Sequence, residues 1–347
     1  MTPVRWAVVG WGVGGRVFHA PMIRSAERLE LAAVVSTNPE RAASAREAGF
    51  DVAADLAELV ERGVEGVTIT TPAGTHADLA VEALERGLHV VVDKPFATTA
   101  SDARRIVAAA GPGSVLTVYQ NRRWDGDLLT LVDLVARGEI GAVDRFESRI
   151  ERFRPALPRW MSDRSSVAGG GVLVDLGPHL IDQAVWLFGP VTEVFADLAT
   201  LGAERVSEDD AVILMRHAAG MRTMIIASVH AAAEGPRFRV SGRQGGARID
   251  GFDGQEAALF AGESPRTLGD RWGVDPDRSV DVESRGSHEV RPLMRGRWDL
   301  FYPSVAAAVR DGAPVPVDPA DAVHVAAVFD AARTSAREGR WIPVEVD

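Results

Sequence analysis

The sequence predicts an α/β chain in two parts. A doubly wound parallel sheet comes first, and an α/β domain with a mostly antiparallel, open sheet follows. Three observations predict this. The apolar run Val4–Val9 leads straight into Gly10-Trp11-Gly12-Val13-Gly14-Gly15 and a helical stretch. Strand-like and helix-like segments then alternate as far as Tyr119. From Ala142 the alternation stops, and strand follows strand across short turns such as Ala219-Gly220.

In order, the strands of the first part fall at Val4–Val9, Leu29–Val35, 51–54, 64–70, 88–92 and 115–119. Helices lie between them at 16–25, 39–48, 76–86 and 99–110, with one more opened by Asp55 as its cap. Pro39 suits a helix start, and Gly49, Gly87 and Gly111 suit helix ends. A helix at 128–137 follows the sixth strand. Strand-like runs at 143–153, 191–200, 211–217, 221–230, 237–241 and 247–249 supply the second sheet, accompanied by helices at 176–188 and Pro319–Glu338. Residues 252–297 are polar and rich in Gly, Asp and Arg, and read as a long excursion with little regular structure. The domains are expected at 1–121 and 122–347.

The 347 residues carry 38 basic and 49 acidic side chains, a net charge of −11. Such a chain repels phosphate, which argues against nucleic acid or an anionic membrane as partner. It has no cysteine, which excludes disulfides, thiolate metal sites and cysteine nucleophiles and fits a reducing compartment, the cytoplasm. The N-terminus enters a strand at once, with no signal-peptide pattern, and no apolar run is long enough to span a membrane.

Chemistry concentrates where strands end, because an open α/β sheet binds ligands at the carboxyl ends of its strands. Gly10, Gly12 and Gly15 form G-x-G-x-x-G between a strand and a helix, a phosphate-cradling turn for a dinucleotide. Ser36-Thr37-Asn38 ends the second strand, 26 residues past Gly10, where an acid would bind a ribose 2′-hydroxyl. No acid is present. Arg41 follows, and Arg16 lies just past the glycines, so the pattern favours a 2′-phosphate and hence NADP(H) over NAD(H). Thr71-Pro72 with His76 ends the fourth strand. Val90-Val91-Val92-Asp93-Lys94-Pro95 delivers Lys94 to the same edge. Asn121-Arg122-Arg123-Trp124-Asp125-Gly126-Asp127 ends the sixth strand and offers donors for hydroxyls. Asp175 and His179, four apart after Gly169-Gly170-Gly171, can share one face of a helical turn, where the carboxylate would orient the imidazole or a substrate hydroxyl. No metal is expected.

These motifs in combination resemble the Gfo/Idh/MocA oxidoreductases, over nearly the whole chain. Gly10-Trp11-Gly12 through Phe18-His19-Ala20-Pro21, Asp93-Lys94-Pro95-Phe96, residues 121–127 and 169–182 carry the likeness. Gly254-Gln255-Glu256 and Trp272-Gly273 look like the branch containing NADP-dependent scyllo-inositol dehydrogenase. The resemblance implies an N-terminal Rossmann fold, a second domain used for homodimer or homotetramer contacts, and Lys94, Asp175 and His179 as the catalytic set. It implies cofactor contacts from Trp11, Asp93, Pro95, Asn121 and Trp160, and substrate contacts from Arg123 and Trp124 beside the catalytic set. Asp93 stands where the family more often has Glu, Ala73 where it often has Asn, and Met161 where it often has Arg. The expected activity is hydride transfer between NAD(P) and a secondary alcohol of a cyclitol, polyol or sugar. A redox-neutral, NAD-dependent glycosidase would instead hold its cofactor through purification and cleave aryl glycosides. A cofactor sensor would have no need of an acid–base set.

Overall fold

The computed structural model describes residues 2–154, 164–203 and 205–345. Its first sheet contains β1 (Val4–Val9), β2 (Leu29–Val35), β3 (Val52–Ala53), β4 (Gly66–Ile69), β5 (His89–Asp93) and β6 (Leu116–Tyr119), in the order β3-β2-β1-β4-β5-β6 with every pair parallel. The order reverses between β1 and β4, so the connections leaving their carboxyl ends pass to opposite faces of the sheet, the arrangement that opens a crevice there. Helices α1 (Ala20–Ser25), α2 (Pro39–Glu47), α3 (Leu56–Glu61), α4 (His76–Glu85) and α5 (Ala100–Ala109) connect the strands. The first begins with a π-helical turn, Gly14–His19, which brings Pro21 into the helix beyond it. Asn38, Asp55 and Thr99 cap α2, α3 and α5 with side-chain oxygens. β4 and β6 are buried throughout, as a sheet covered on both faces requires.

Beyond α6 (Gly126–Ala136), the second sheet takes β7 (Val143–Glu151), β8 (Val191–Ala199), β9 (Asp210–His217), β10 (Arg222–Ser228), β11 (Phe238–Gly242) and β12 (Gly245–Ile249). All its pairs are antiparallel except β7 with β10. The helix expected at 176–188 is α8 (Gly177–Phe188), opened by Pro178 in its first turn, and a short separate helix, α7 (Gly171–Asp175), precedes it.

Residues 252–297 differ from expectation. They hold α9 (Gln255–Phe260), α10 (Pro265–Leu268) and a hairpin of β13 (Ser279–Ser284) and β14 (Ser287–Pro292), which extends the sheet beyond β12. Val280 and Val282 are the only apolar inward residues of β13, and β14 is an almost wholly exposed edge. The apolar alternation that signals a strand is therefore nearly absent. Next, α11 (Phe301–Asp311) crosses back to the first sheet. There Tyr302 is fully buried, and Arg310 and Asp311 pair with Glu65 and Arg28. The long helix α12 (Pro319–Glu338) lies between the two sheets, bonded through Arg333 to the carbonyl of Thr98, and β15 (Ile342–Pro343) closes the second sheet beside β8. Among the described residues no helix is long and apolar enough to cross a membrane.

Candidate active site

The glycine turn is built for close approach. Gly10 has φ +104°, and a Cβ there would stand 2.9 Å from the carbonyl oxygen of Thr70. A Cβ on Gly15 would stand 2.1 Å from the carbonyl oxygen of Gly10, so the helix start sits directly on the strand end. Gly12 is different: a Cβ there would meet only Arg41 Nη1, at 3.8 Å. Gly12 thus presents bare backbone to an open space beside a guanidinium, a surface that fits a dinucleotide's phosphates. Asn38 caps α2 by accepting from the Arg41 amide at 3.0 Å, which sets the turn carrying that arginine, and Ser36 Oγ donates to the Asn38 carbonyl at 3.4 Å. Arg16 is exposed, and its side chain forms no hydrogen bond or ion pair among the described residues. The Trp11 indole turns inward onto Phe50, with centroids 5.2 Å apart, so only its backbone stays in the turn.

The ends of β4 and β5 are tied together by His76. Its Nδ1 lies 2.8 Å from the Pro95 carbonyl oxygen and its Nε2 2.7 Å from that of Thr71. Burial holds this ring below the usual histidine range. His76 therefore braces the two loops and does not face a ligand. Thr71 Oγ1 meets Thr75 Oγ1 at 2.7 Å, which shapes the Thr71-Pro72 turn. Asp93 Oδ1 accepts from the Lys94 amide at 2.8 Å, and Oδ2 accepts from Thr70 Oγ1 at 3.1 Å and lies 3.2 Å from His19 Nε2. Burial opposes its ionisation, but His19, Lys94 and His76 outweigh burial and hold the carboxyl at about 2.

Lys94 leaves β5 through a cis bond to Pro95. Its Nζ donates to the carbonyl oxygen of Asp175 at 2.9 Å and to Asp175 Oδ1 at 3.1 Å. This corrects the expected pairing of Asp175 with His179: the helix breaks between them, and Asp175 orients the lysine. The glycine run lets α7 start against Glu208, since a Cβ on Gly171 would lie 2.3 Å from Glu208 Oε1, and that oxygen accepts from the Leu173 amide at 3.2 Å.

His179 is buried in the first turn of α8. Its Nδ1 is sealed from solvent without a partner, and neither ring nitrogen forms a hydrogen bond among the described residues. Burial first, then the charge of Lys94, then those of Arg122, Arg237 and Arg152, hold the imidazole well below the usual histidine range. Arg237 is locked beneath α8, donating to Ser148 Oγ at 2.7 Å and Gln183 Oε1 at 2.9 Å; its burial brings it down to about 10. The site thus holds an uncharged imidazole inside a ring of cations.

One expected substrate contact, Arg123, points elsewhere. Arg123 is buried and forked onto Asp182 at 2.8 and 2.7 Å, with Asp321 at 2.8 Å. It ties the turn at 121–124 to α8 and α12. The Trp124 ring packs edge-on against Phe301, with centroids 5.8 Å apart. Asn121 is buried in the same turn. Trp160 lies outside the described residues.

Sequence reasoning missed Gly14, Arg152 and Arg237, and gave Glu256 and Arg122 no role of their own. A Cβ on Gly14 would stand 2.1 Å from Thr70 Oγ1, yet nothing in the fingerprint marks that position. Arg122 pairs with Asp125 at 3.3 Å and closely with Glu256, a residue of α9. Only the fold brings these together.

Comparison with known proteins agrees with this geometry. Residues 4–120 match an oxidoreductase family with an NAD-binding Rossmann fold, and residues 128–248 match the Gfo/Idh/MocA C-terminal domain. The uncharacterized oxidoreductase YdgJ of Escherichia coli K12 is 35% identical over 342 residues, 96% of each chain. The scyllo-inositol 2-dehydrogenase (NADP(+)) of Bacillus subtilis strain 168 is 30% identical, over 99% of this chain and 96% of its own. The solved structure of the YPO2259 oxidoreductase of Yersinia pestis has a TM-score of 0.90 at 34% identity, covering 100% of this chain and 98% of that one. The chain belongs to the Gfo/Idh/MocA oxidoreductases, with an NAD(P)-binding Rossmann domain followed by a domain on a mostly antiparallel mixed sheet.

Proposed function

We propose that the protein is an NADP(H)-preferring dehydrogenase acting on a secondary alcohol of a cyclitol, polyol or sugar, working in the cytoplasm as a homodimer or homotetramer. One observation carries the reading. An ammonium held by Asp175 at a strand end lies within electrostatic reach of a buried, uncharged histidine with no partner of its own. Taking a proton from a hydroxyl needs an uncharged base, and the oxygen left behind needs a nearby positive donor.

The Gly10–Gly12 turn, Arg41 and Ser36 would hold the dinucleotide, whose nicotinamide supplies the hydride acceptor when bound. His179 takes the hydroxyl proton through Nε2, the ring nitrogen not sealed in. Lys94 donates to the same oxygen as negative charge grows on it. Asp175 fixes the direction of Lys94. In the reverse direction, protonated His179 returns its proton to the carbonyl oxygen. The B. subtilis relative, an NADP-dependent inositol dehydrogenase by name, supports both the substrate class and the cofactor preference.

The test is a screen of inositols, sugars and linear polyols with NADP⁺ and with NAD⁺, following the absorbance of the reduced nicotinamide. Oxidation of at least one cyclitol, polyol or sugar, more efficient with NADP⁺, is the expected result. Cleavage of aryl glycosides with no net change in cofactor would replace this reading with the redox-neutral one.

A further inference from the structure

Arg152 follows β7, and Glu256 sits in the first turn of α9. The two side chains are 23% and 25% exposed, close to the 24% and 26% of Lys94 and Asp175. Lys94 is among the charges acting on Glu256, Asp175 among those acting on Arg152, and Arg152 among those acting on His179.

The pair is not closed. Glu256 Oε2 is taken up by Arg122, whereas Oε1 accepts no hydrogen bond among the described residues and faces Arg152 Nη2 at 3.7 Å. That is beyond hydrogen-bond reach. The Arg152 guanidinium makes no hydrogen bond among the described residues either. It lies over the Phe252 ring, 5.4 Å from the centroid. A donor and an acceptor left open side by side can be taken up by a single ligand group. A hydroxyl is the group that serves both at once, since its oxygen accepts from the guanidinium while its hydrogen is donated to the carboxylate. Neither an apolar group nor a lone anion would do so.

We propose that Arg152 and Glu256 form a hydroxyl-reading subsite, which binds a substrate hydroxyl other than the one oxidised and so selects among polyol stereoisomers. This rests on the polyol reading above. The second domain supplies both residues, so specificity is set by the excursion at 252–260 while Lys94 of the first domain serves the reacting oxygen.

The experiment compares wild type, Glu256→Gln and Arg152→Lys on myo-inositol, scyllo-inositol and their monodeoxy analogues with NADP⁺. Glu256→Gln keeps the shape and can still accept from Arg122. Arg152→Lys keeps the charge and loses the fork, and serves if the first variant does not fold. Each is expected to raise KM roughly tenfold or more, with kcat changed less than about threefold, because a charge-assisted contact to a hydroxyl is lost away from the reacting carbon. The loss should vanish on the analogue that lacks the hydroxyl being read. A purely structural pair would instead lower activity on every substrate by one common factor, with a lower Tm, and that result overturns the subsite. Inositol binding to His179→Asn, followed by tryptophan fluorescence with NADPH present, separates the two readings. Binding that weakens on adding Glu256→Gln supports the subsite even if wild type does not oxidise inositol. Turnover or binding indifferent to both substitutions refutes it.

Discussion

Lys94→Ala isolates one donor. An ammonium has three N–H groups. Two are engaged, by the carbonyl and the carboxylate of Asp175. One is left for the substrate oxygen. Losing one such preorganised donor costs about 10²–10³ in kcat, or about 3–4 kcal/mol of transition-state stabilisation. The fold should hardly notice. The pair is about one-quarter exposed on each side, so its net worth is on the order of 1 kcal/mol or less, a change of a few degrees in Tm at most. A second effect follows from His179, since Lys94 is the strongest of the charges that depress it. Oxidation needs the uncharged ring, so kcat/KM falls as pH drops through the pKa of that ring. In wild type this limb lies well below 6.5. In Lys94→Ala it should move up. Steady-state oxidation from about pH 5 to 9 measures both effects, with NADPH binding and Tm as controls. A variant with near-wild-type kcat, or one whose acid limb does not move, would refute the shared role of Lys94 as oxygen donor and as the charge that keeps His179 unprotonated.

Four other outcomes are expected. His179→Asn should remove the acid limb and cut kcat by about a hundredfold or more, while cofactor affinity is kept. Thermal stability should decline below about pH 6.5. His76, His89, His179 and His217 are all depressed by burial, so the unfolded chain binds protons there before the folded one does. Asp93, held at about 2, adds its own loss only in stronger acid, and a Tm flat from neutrality down to about pH 4 would contradict this. Arg41→Ala should lower kcat/KM with NADP⁺ about tenfold more than with NAD⁺, and equal losses would remove Arg41 from the 2′-phosphate. Leu214→Arg should dissociate a homodimer or homotetramer, as read by light scattering. Phe195, Leu214 and Met224 lie in register across β8, β9 and β10, with Val212 and Ile226 beside them, and these half-buried residues share the face opposite Ile213 and Met215. A wild-type monomer would contradict that assembly.

The parts legible in the sequence are those that local chemistry fixes. A strand feeding Gly10-Trp11-Gly12 into a helix, and a β-branched run ending in Lys94-Pro95, carry their geometry within a few residues. Spacing alone failed at Asp175 and His179, because four residues describe one helical face only if no helix break intervenes, and Pro178 starts a second helix there. It failed at Arg123 too, since a cation at a strand end faces a ligand only if no buried acid claims it, and Asp182 does. The Arg152–Glu256 pair joins the end of one strand to a helix in a segment whose polarity hid its structure.

The buried contacts beneath Asp93 show why the two halves must fold together for the site to form. Trp6 Nε1 can only donate, and it donates to Thr68 Oγ1 at 2.8 Å. Thr68 Oγ1 meets Tyr302 Oη at 2.9 Å, and Tyr302 Oη meets His19 Nδ1 at 2.7 Å. Asp93, as a carboxylate, can only accept, and His19 Nε2 faces it at 3.2 Å. With a fixed donor at one end and a carboxylate beside the other, the hydrogen bonds run one way, from Trp6 through Thr68 and Tyr302 to His19 Nδ1. The hydrogen on His19 then sits on Nε2, the ring nitrogen on the side of Asp93. Asp93 in turn holds the Lys94 amide through Oδ1. One link in this series, Tyr302, comes from α11, more than 200 residues beyond β5. Removing its hydroxyl would leave His19 free to turn its hydrogen away from Asp93. The strand end that presents Lys94 is therefore set partly by a helix from the far end of the chain, which no fingerprint within the first domain contains.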